Sequence, residues 1–133
     1  MNVLAFDTCL GAVSAAVRWR SAQGEWLLHE AYEECSTGHA ERLFPMIAAV
    51  MDGAGLALSA IDRIAVTLGP GTFTGVRVGV AAARAFALTP GRTVVGATSL
   101  VVMAHRANLL IGPERAGRPL AVAVDARRGG FGA

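Results

Sequence analysis

The chain has 133 residues, enough for one domain with a real core, since a domain of this size buries roughly two-thirds of its unfolded surface. Hydrophobic residues make up 53% of it and mean hydropathy is +0.48, which excludes a disordered chain, and no apolar run reaches the roughly 20 residues of a membrane-spanning helix. Every basic residue is arginine, and the charge is uneven: residues 1–67 hold four arginines against eight carboxylates, whereas residues 68–133 hold eight arginines against two. A basic second half suits an acidic partner, a nucleotide or RNA, and scattered solvated arginines account for it equally. Met1-Asn2-Val3 offers no basic stretch before an apolar segment, so no signal peptide is read and a cytoplasmic location is expected. Cys9 and Cys35 are read as free thiols.

In chain order, the run Val3 to Phe6 predicts a buried strand, Ala12 to Trp19 a second and Trp26 to Tyr32 a third, an antiparallel meander. Cys35-Ser36-Thr37-Gly38 is a loop with Ser36 or Thr37 as a helix N-cap. A helix follows from about His39 to Ala54, its Leu43, Phe44, Ile47, Val50, Met51 and Ala54 recurring at helical spacing. Pro45 predicts a kink or a later start, and Gly53 and Gly55 stop the helix. Leu56 to Asp62 reads as a connector, with Ser59 capping one more turn.

Arg63 to Leu68 predicts a strand that runs into Gly69-Pro70-Gly71-Thr72-Phe73-Thr74-Gly75 and a small-residue helix over 74–88. Such a strand, glycine-rich turn and helix start aim backbone N–H groups at one point, where an anion can sit. The loop lacks the Gly-Lys-Ser/Thr of a phosphate-binding P-loop. Its glycines equally permit close packing of the following helix. Thr89-Pro90-Gly91 ends that helix; Thr93 to Gly96 predicts a strand, Ser99 to Leu110 a helix, Gly112-Pro113 and Gly117 a loop, and Leu120 to Val124 a last strand. The order β-β-β-α-β-α-β-α-β is the pattern of a ribonuclease-H-like α/β fold, shared by actin-like ATPase domains: a three-strand antiparallel meander followed by parallel strands, with helices on both faces.

Five motifs carry a family resemblance: Leu4-Ala5-Phe6-Asp7-Thr8-Cys9, His39 to Ile47, Gly69 to Gly79, Gly96-Ala97-Thr98-Ser99-Leu100 and Asp125-Ala126-Arg127-Arg128-Gly129. In this order they resemble the TsaB (YeaZ) family of the glycoprotease-like superfamily, linked to threonylcarbamoyladenosine in tRNA. Family members commonly have Ser where Cys9 stands. They are also longer, so residues 1–112 are expected to form the N-terminal actin-like domain and 113–133 the start of a truncated second one.

The resemblance implies a non-catalytic accessory subunit that supports threonylcarbamoyl transfer to the adenosine beside the tRNA anticodon by binding the catalytic paralogue. An ATP-binding or glycopeptidase-like enzyme of the actin-like fold is the alternative. The implied partners are that paralogue, an ATPase subunit of the same assembly and a second copy of the chain, with tRNA met only through the complex and no membrane. No cofactor is required, although a weak or composite ATP/ADP site is compatible. The phosphate-facing candidates are Asp7, Thr8, Cys9, Gly69, Gly71, Thr72 and Arg77. Asp7 and Thr8 equally read as caps of a tight turn, and Arg77 as the partner of a carboxylate. The partner-interface candidates are His39, Leu43, Met46, Ile47, Val50, Gly75, Gly79 and Ala82.

No catalytic residue or metal site is expected. The catalytic paralogue holds its metal through paired histidines, and the corresponding helix here has His105 alone. Two-metal nuclease chemistry needs clustered carboxylates. Asp7 and Asp125 are candidates to converge, but the strand ending at Leu68 runs into glycine instead of an acid, which counts against a nuclease.

Overall fold

The computed structural model describes residues 1–125. Its elements are β1 (Val3–Asp7), β2 (Ala12–Arg20), β3 (Trp26–Glu34), α1 (His39–Ala54), β4 (Arg63–Thr67), α2 (Phe73–Ala87), β5 (Thr93–Ala97) and α3 (Ser99–Ile111), with short 3-10 turns at Leu58–Ala60 and Gly112–Arg115. One sheet holds all five strands in the order β3-β2-β1-β4-β5. The first three are antiparallel, while β1–β4 and β4–β5 are parallel. This is the mixed α/β architecture the sequence order implies.

Alternation decides which face is covered. Leu4 and Phe6 of β1, Val13, Ala15 and Val17 of β2, and Ile64 and Val66 of β4 point one way and are buried. Their alternate neighbours are half-buried or exposed, apart from Thr67 at the end of β4. Helix α1 brings Leu43, Ile47, Val50 and Met51 onto the covered face, and α2 brings Ala82, Ala83 and Phe86. The rings of Phe6 and Phe86 lie 5.9 Å apart, joining sheet to helix. Each fully buried large side chain is worth about 1.5–3 kcal/mol, so this single layer supplies most of the fold's stability. In α3 only Ser99 is buried.

Several local expectations are corrected. Gly38, at φ 82°, is the N-cap of α1, and neither Ser36 nor Thr37 caps it. The helix starts at His39 and runs on through Pro45, which sits on its exposed side. Gly53 lies inside the helix; the stop is Gly55 at φ 68°, where Gly55 N donates to Asp52 O and Leu56 N to Met51 O. Ser59 sits within the short turn, whose N-cap is Ala57.

No strand forms over residues 120–124. Leu120, Val122 and Val124 are half-buried and alternate with exposed Ala121 and Ala123, a strand pattern without a ladder among the described residues. A strand exists only when a neighbour takes its backbone groups, so pattern alone does not make one. The Arg127-Arg128 part of the last motif lies outside the described residues.

Candidate functional site

The C-terminal ends of the parallel strands β1 and β4 meet the N-termini of α2 and α3. Because β1 and β4 run parallel with Phe6 beside Val66, Asp7 comes level with Thr67. Thr67 Oγ1 donates to Asp7 Oδ1 at 2.6 Å, and the Cys9 backbone N–H donates to the same oxygen at 2.8 Å. The Cys9 thiol in turn lies 3.3 Å from Thr67 Oγ1 and 3.5 Å from Thr67 O, both acceptors for its proton. Burial pushes the Cys9 thiol up, outweighing the lowering by Thr67 and Ser99, so it stays a neutral donor. The buried Ser99 hydroxyl faces this sulfur without forming a well-made hydrogen bond. Asp7, Thr67 and Cys9 thus lock the turn after β1.

The glycine-rich loop wraps this turn. Gly69 takes φ 98° and a cis bond to Pro70, and Ser99 N donates to Gly69 O at 2.8 Å. Thr72 N donates to Cys9 O at 2.7 Å, while Thr72 Oγ1 caps α2 by accepting from Gly75 N at 3.0 Å. Thr98 caps α3 in the same way through Val101 N. A methyl group at Gly71 would collide with Cys9 O, and one at Gly75 with Thr8 O. At Gly79 it would come within 3.0 Å of Thr8 Oγ1, a hydroxyl that donates to Gly75 O at 2.6 Å.

The space that glycine leaves at 71, 75 and 79 is therefore filled by the chain's own turn. The absence of a side chain at Gly71 and Gly75 lets Cys9 O and Thr8 O approach, so α2 packs closely against the turn after β1.

The predicted phosphate-facing set separates accordingly. Asp7, Thr8, Cys9, Gly69, Gly71 and Thr72 do come together. Arg77 does not join them: its guanidinium stacks over the exposed Phe73 ring, 4.6 Å from the centroid. Of the predicted interface residues, His39, Leu43, Ile47, Val50, Gly75, Gly79 and Ala82 are buried within the chain, and only Met46 is partly exposed. The reason is geometric: the most apolar stripe of each helix is the one its own sheet takes. His39 is held by Leu10 O at 2.7 Å. His105 is exposed, and among the described residues no three His, Cys, Asp or Glu side chains gather as metal ligands.

Sequence reasoning missed Thr67 and Ser99. Thr67 gains its role only from the parallel pairing that sets it beside Asp7.

A family model described as TsaD, tRNA N6-adenosine threonylcarbamoyltransferase, matches residues 31–131. The chain belongs to that family. Within it, the chain is 33% identical to the tRNA threonylcarbamoyladenosine biosynthesis protein TsaB of Escherichia coli, covering 97% of this chain and 52% of the relative. It is likewise 33% identical to TsaB of Haemophilus influenzae, over 96% of this chain and 50% of the relative. Among solved structures, YeaZ from Pseudomonas aeruginosa superposes with a TM-score of 0.74 at 39% identity, covering 84% of this chain and 50% of that one. The chain thus spans about half the length of the TsaB and YeaZ relatives it matches, and its fold is that of YeaZ over this half.

Proposed function

We propose that this TsaD-family chain is a non-catalytic accessory component in the synthesis of threonylcarbamoyladenosine in tRNA, acting by binding the catalytic paralogue. The names of its TsaB relatives supply the pathway. The observation that carries the accessory role is the filling of Gly71 and Gly75 by Cys9 O and Thr8 O, which makes the loop a packing device for α2.

Beside exposed Glu41 and Asp52 on α1 and Arg77 and Arg84 on α2, the two helices also present a row of small and apolar residues outward. Phe44 is 52% exposed, flanked on its row by exposed Ala40 and Ala48, and its ring lies 6.1 Å from that of Phe86 on α2. Ala81 and Ala85 are exposed on α2. Small residues let a second pair of helices approach closely, with Phe44 as the anchor. The partner contact proposed here therefore uses this outer row and Met46, not the buried stripe.

In this reading the assembly also includes an ATPase subunit, the same surface serves a second copy when the paralogue is absent, tRNA is met through the complex, and the setting is the cytoplasm. No cofactor is required; a nucleotide enters only at a composite site completed by a partner around half-buried Asp7.

The test is copurification with the catalytic transferase. Phe44→Glu and Ala81→Glu are expected to weaken association about tenfold or more; Ala81→Glu should leave the thermal midpoint nearly unchanged because Ala81 is exposed, whereas Phe44→Glu also gives up the ring contact with Phe86 and lowers it. Retention of full binding by both variants would sink the reading. So would turnover by the isolated chain that depends on Asp7.

A further inference from the structure

The face of the sheet opposite α1 and α2 gathers arginines that the sequence holds far apart. Strand pairing does this. Arg18 of β2 stands opposite Leu28 of β3 and Val3 of β1, and Val3 stands opposite Arg63 of β4. Arg20 stands opposite Trp26. Residues in register point to the same face. Their neighbours Leu4, Val17 and Ile64 lie in the core under the helices, so all three arginines project from the other side. They are three of the four arginines in residues 1–67.

Their donors are unspent. Arg18 and Arg20 are exposed and lie over the Trp26 ring, at 4.0 and 4.8 Å from its centroid, a contact that gives their N–H groups no acceptor. Arg63 is half-buried, and its Nε is enclosed without a hydrogen-bond partner. None of the three is in an ion pair among the described residues. The carboxylates close to them in sequence are placed elsewhere. Asp62 Oδ2 accepts from Asn2 N at 2.7 Å, and Glu25 lies in the turn before β3. Glu30, opposite Ala16, and Glu34 lie further along β3 and bound the basic patch on that side.

The floor between the arginines is built from Val3, Ala5, Ala16 and Ala65, side chains too short to form walls. Arg18 and Arg20 are two residues apart along one strand, about 7 Å, and Arg18 and Arg63 are two strands apart, about 10 Å. Cations spaced in this way over a flat face suit a row of separate anions, as along a phosphodiester strand, better than a single carboxylate. The indole beside them favours nucleic acid over an acidic polypeptide, because bases stack on aromatic and guanidinium planes while phosphates take the N–H groups.

We propose that this face binds the phosphate backbone of a single-stranded RNA segment, with Arg18, Arg20 and Arg63 on separate phosphates and a base against Trp26. The contact is the chain's own. It therefore goes beyond the accessory reading, in which tRNA is met through the complex.

Fluorescence anisotropy of a labelled oligouridylate titrated with the chain tests it. Micromolar binding is expected, and log K should fall with log salt between about 50 and about 200 mM with a slope of about −2, at roughly 0.7 for each phosphate contact. Arg18→Glu should weaken binding at least about tenfold, whereas Arg84→Glu, the same charge change at an exposed site on α2, should cost less than about threefold. Glu30→Arg adds a cation beside Arg18 and should tighten binding at least about threefold, which decides the matter if Arg18→Glu does not fold.

No binding at the lowest salt, equal losses from Arg18→Glu and Arg84→Glu, or no gain from Glu30→Arg overturns the proposal. So does poly-glutamate that displaces the label as well as unlabelled RNA does at equal charge, or an oligothymidylate that binds better than the oligouridylate. Copurification with the transferase is untouched by any of these results, so the two readings fail separately.

Discussion

At the residue scale, the glycines of the 69–79 run differ in what they tolerate. Gly75 packs against Thr8 O, a backbone atom that cannot rotate away, whereas a methyl at Gly11 would meet nothing. Gly75→Ala should therefore cost about 1–3 kcal/mol in urea unfolding, with Gly11→Ala close to neutral. Cys9 gives a second prediction. Its folded thiol resists ionisation more than the unfolded one, so the unfolded state loses its proton first as pH rises. Stability is then whole below the ordinary thiol pKa and declines above it. Cys9→Ser should flatten that alkaline decline, and in the native wild type an alkylating reagent should label half-buried Cys35 well before buried Cys9. The Thr67–Asp7–Cys9 lock was not legible in the sequence, because two of its members are joined only by pairing between strands 60 residues apart.

At the scale of elements, α1 was read almost residue for residue, since its apolar spacing is a local property. Its ends were harder. The cap signal at Ser36 and Thr37 lost to Gly38, which takes a left-handed conformation open to glycine at little cost. Gly53 looked like a stop but is a clearance: a methyl there would strike the His29 ring of β3. Gly53→Ala should accordingly be neutral or destabilising in the wild type, yet stabilise by about 0.5–1 kcal/mol in a His29→Ala background, as a double-mutant cycle in urea would show. The helix faces followed the same logic. The stripe recognised as apolar was real, but the sheet used it, and the surface left for a partner is the less apolar row through Phe44.

At the scale of the whole molecule, stability is concentrated on one face of the sheet. Amide exchange should be slowest in β1, β2, β4 and the buried turns of α1, and much faster in α3, where only Ser99 is buried, and across residues 116–125. Equal protection of α3 and β1 would contradict the single-layer core. No helix of the described residues is long and apolar enough to cross a membrane.

The sequence by itself determined the element order from β1 to α3, the α/β class and the family, because alternation, helical spacing and the Gly-Pro-Gly-Thr-Phe-Thr-Gly run are written in adjacent residues. The tertiary structure decided what those residues face. What fills the space beside a glycine, whether an apolar stripe meets a partner or its own sheet, and whether scattered arginines gather on one face all depend on contacts between distant segments. Gly71 and Gly75 are legible in the sequence as glycines, and only the tertiary structure shows Cys9 O and Thr8 O filling the space a side chain would take.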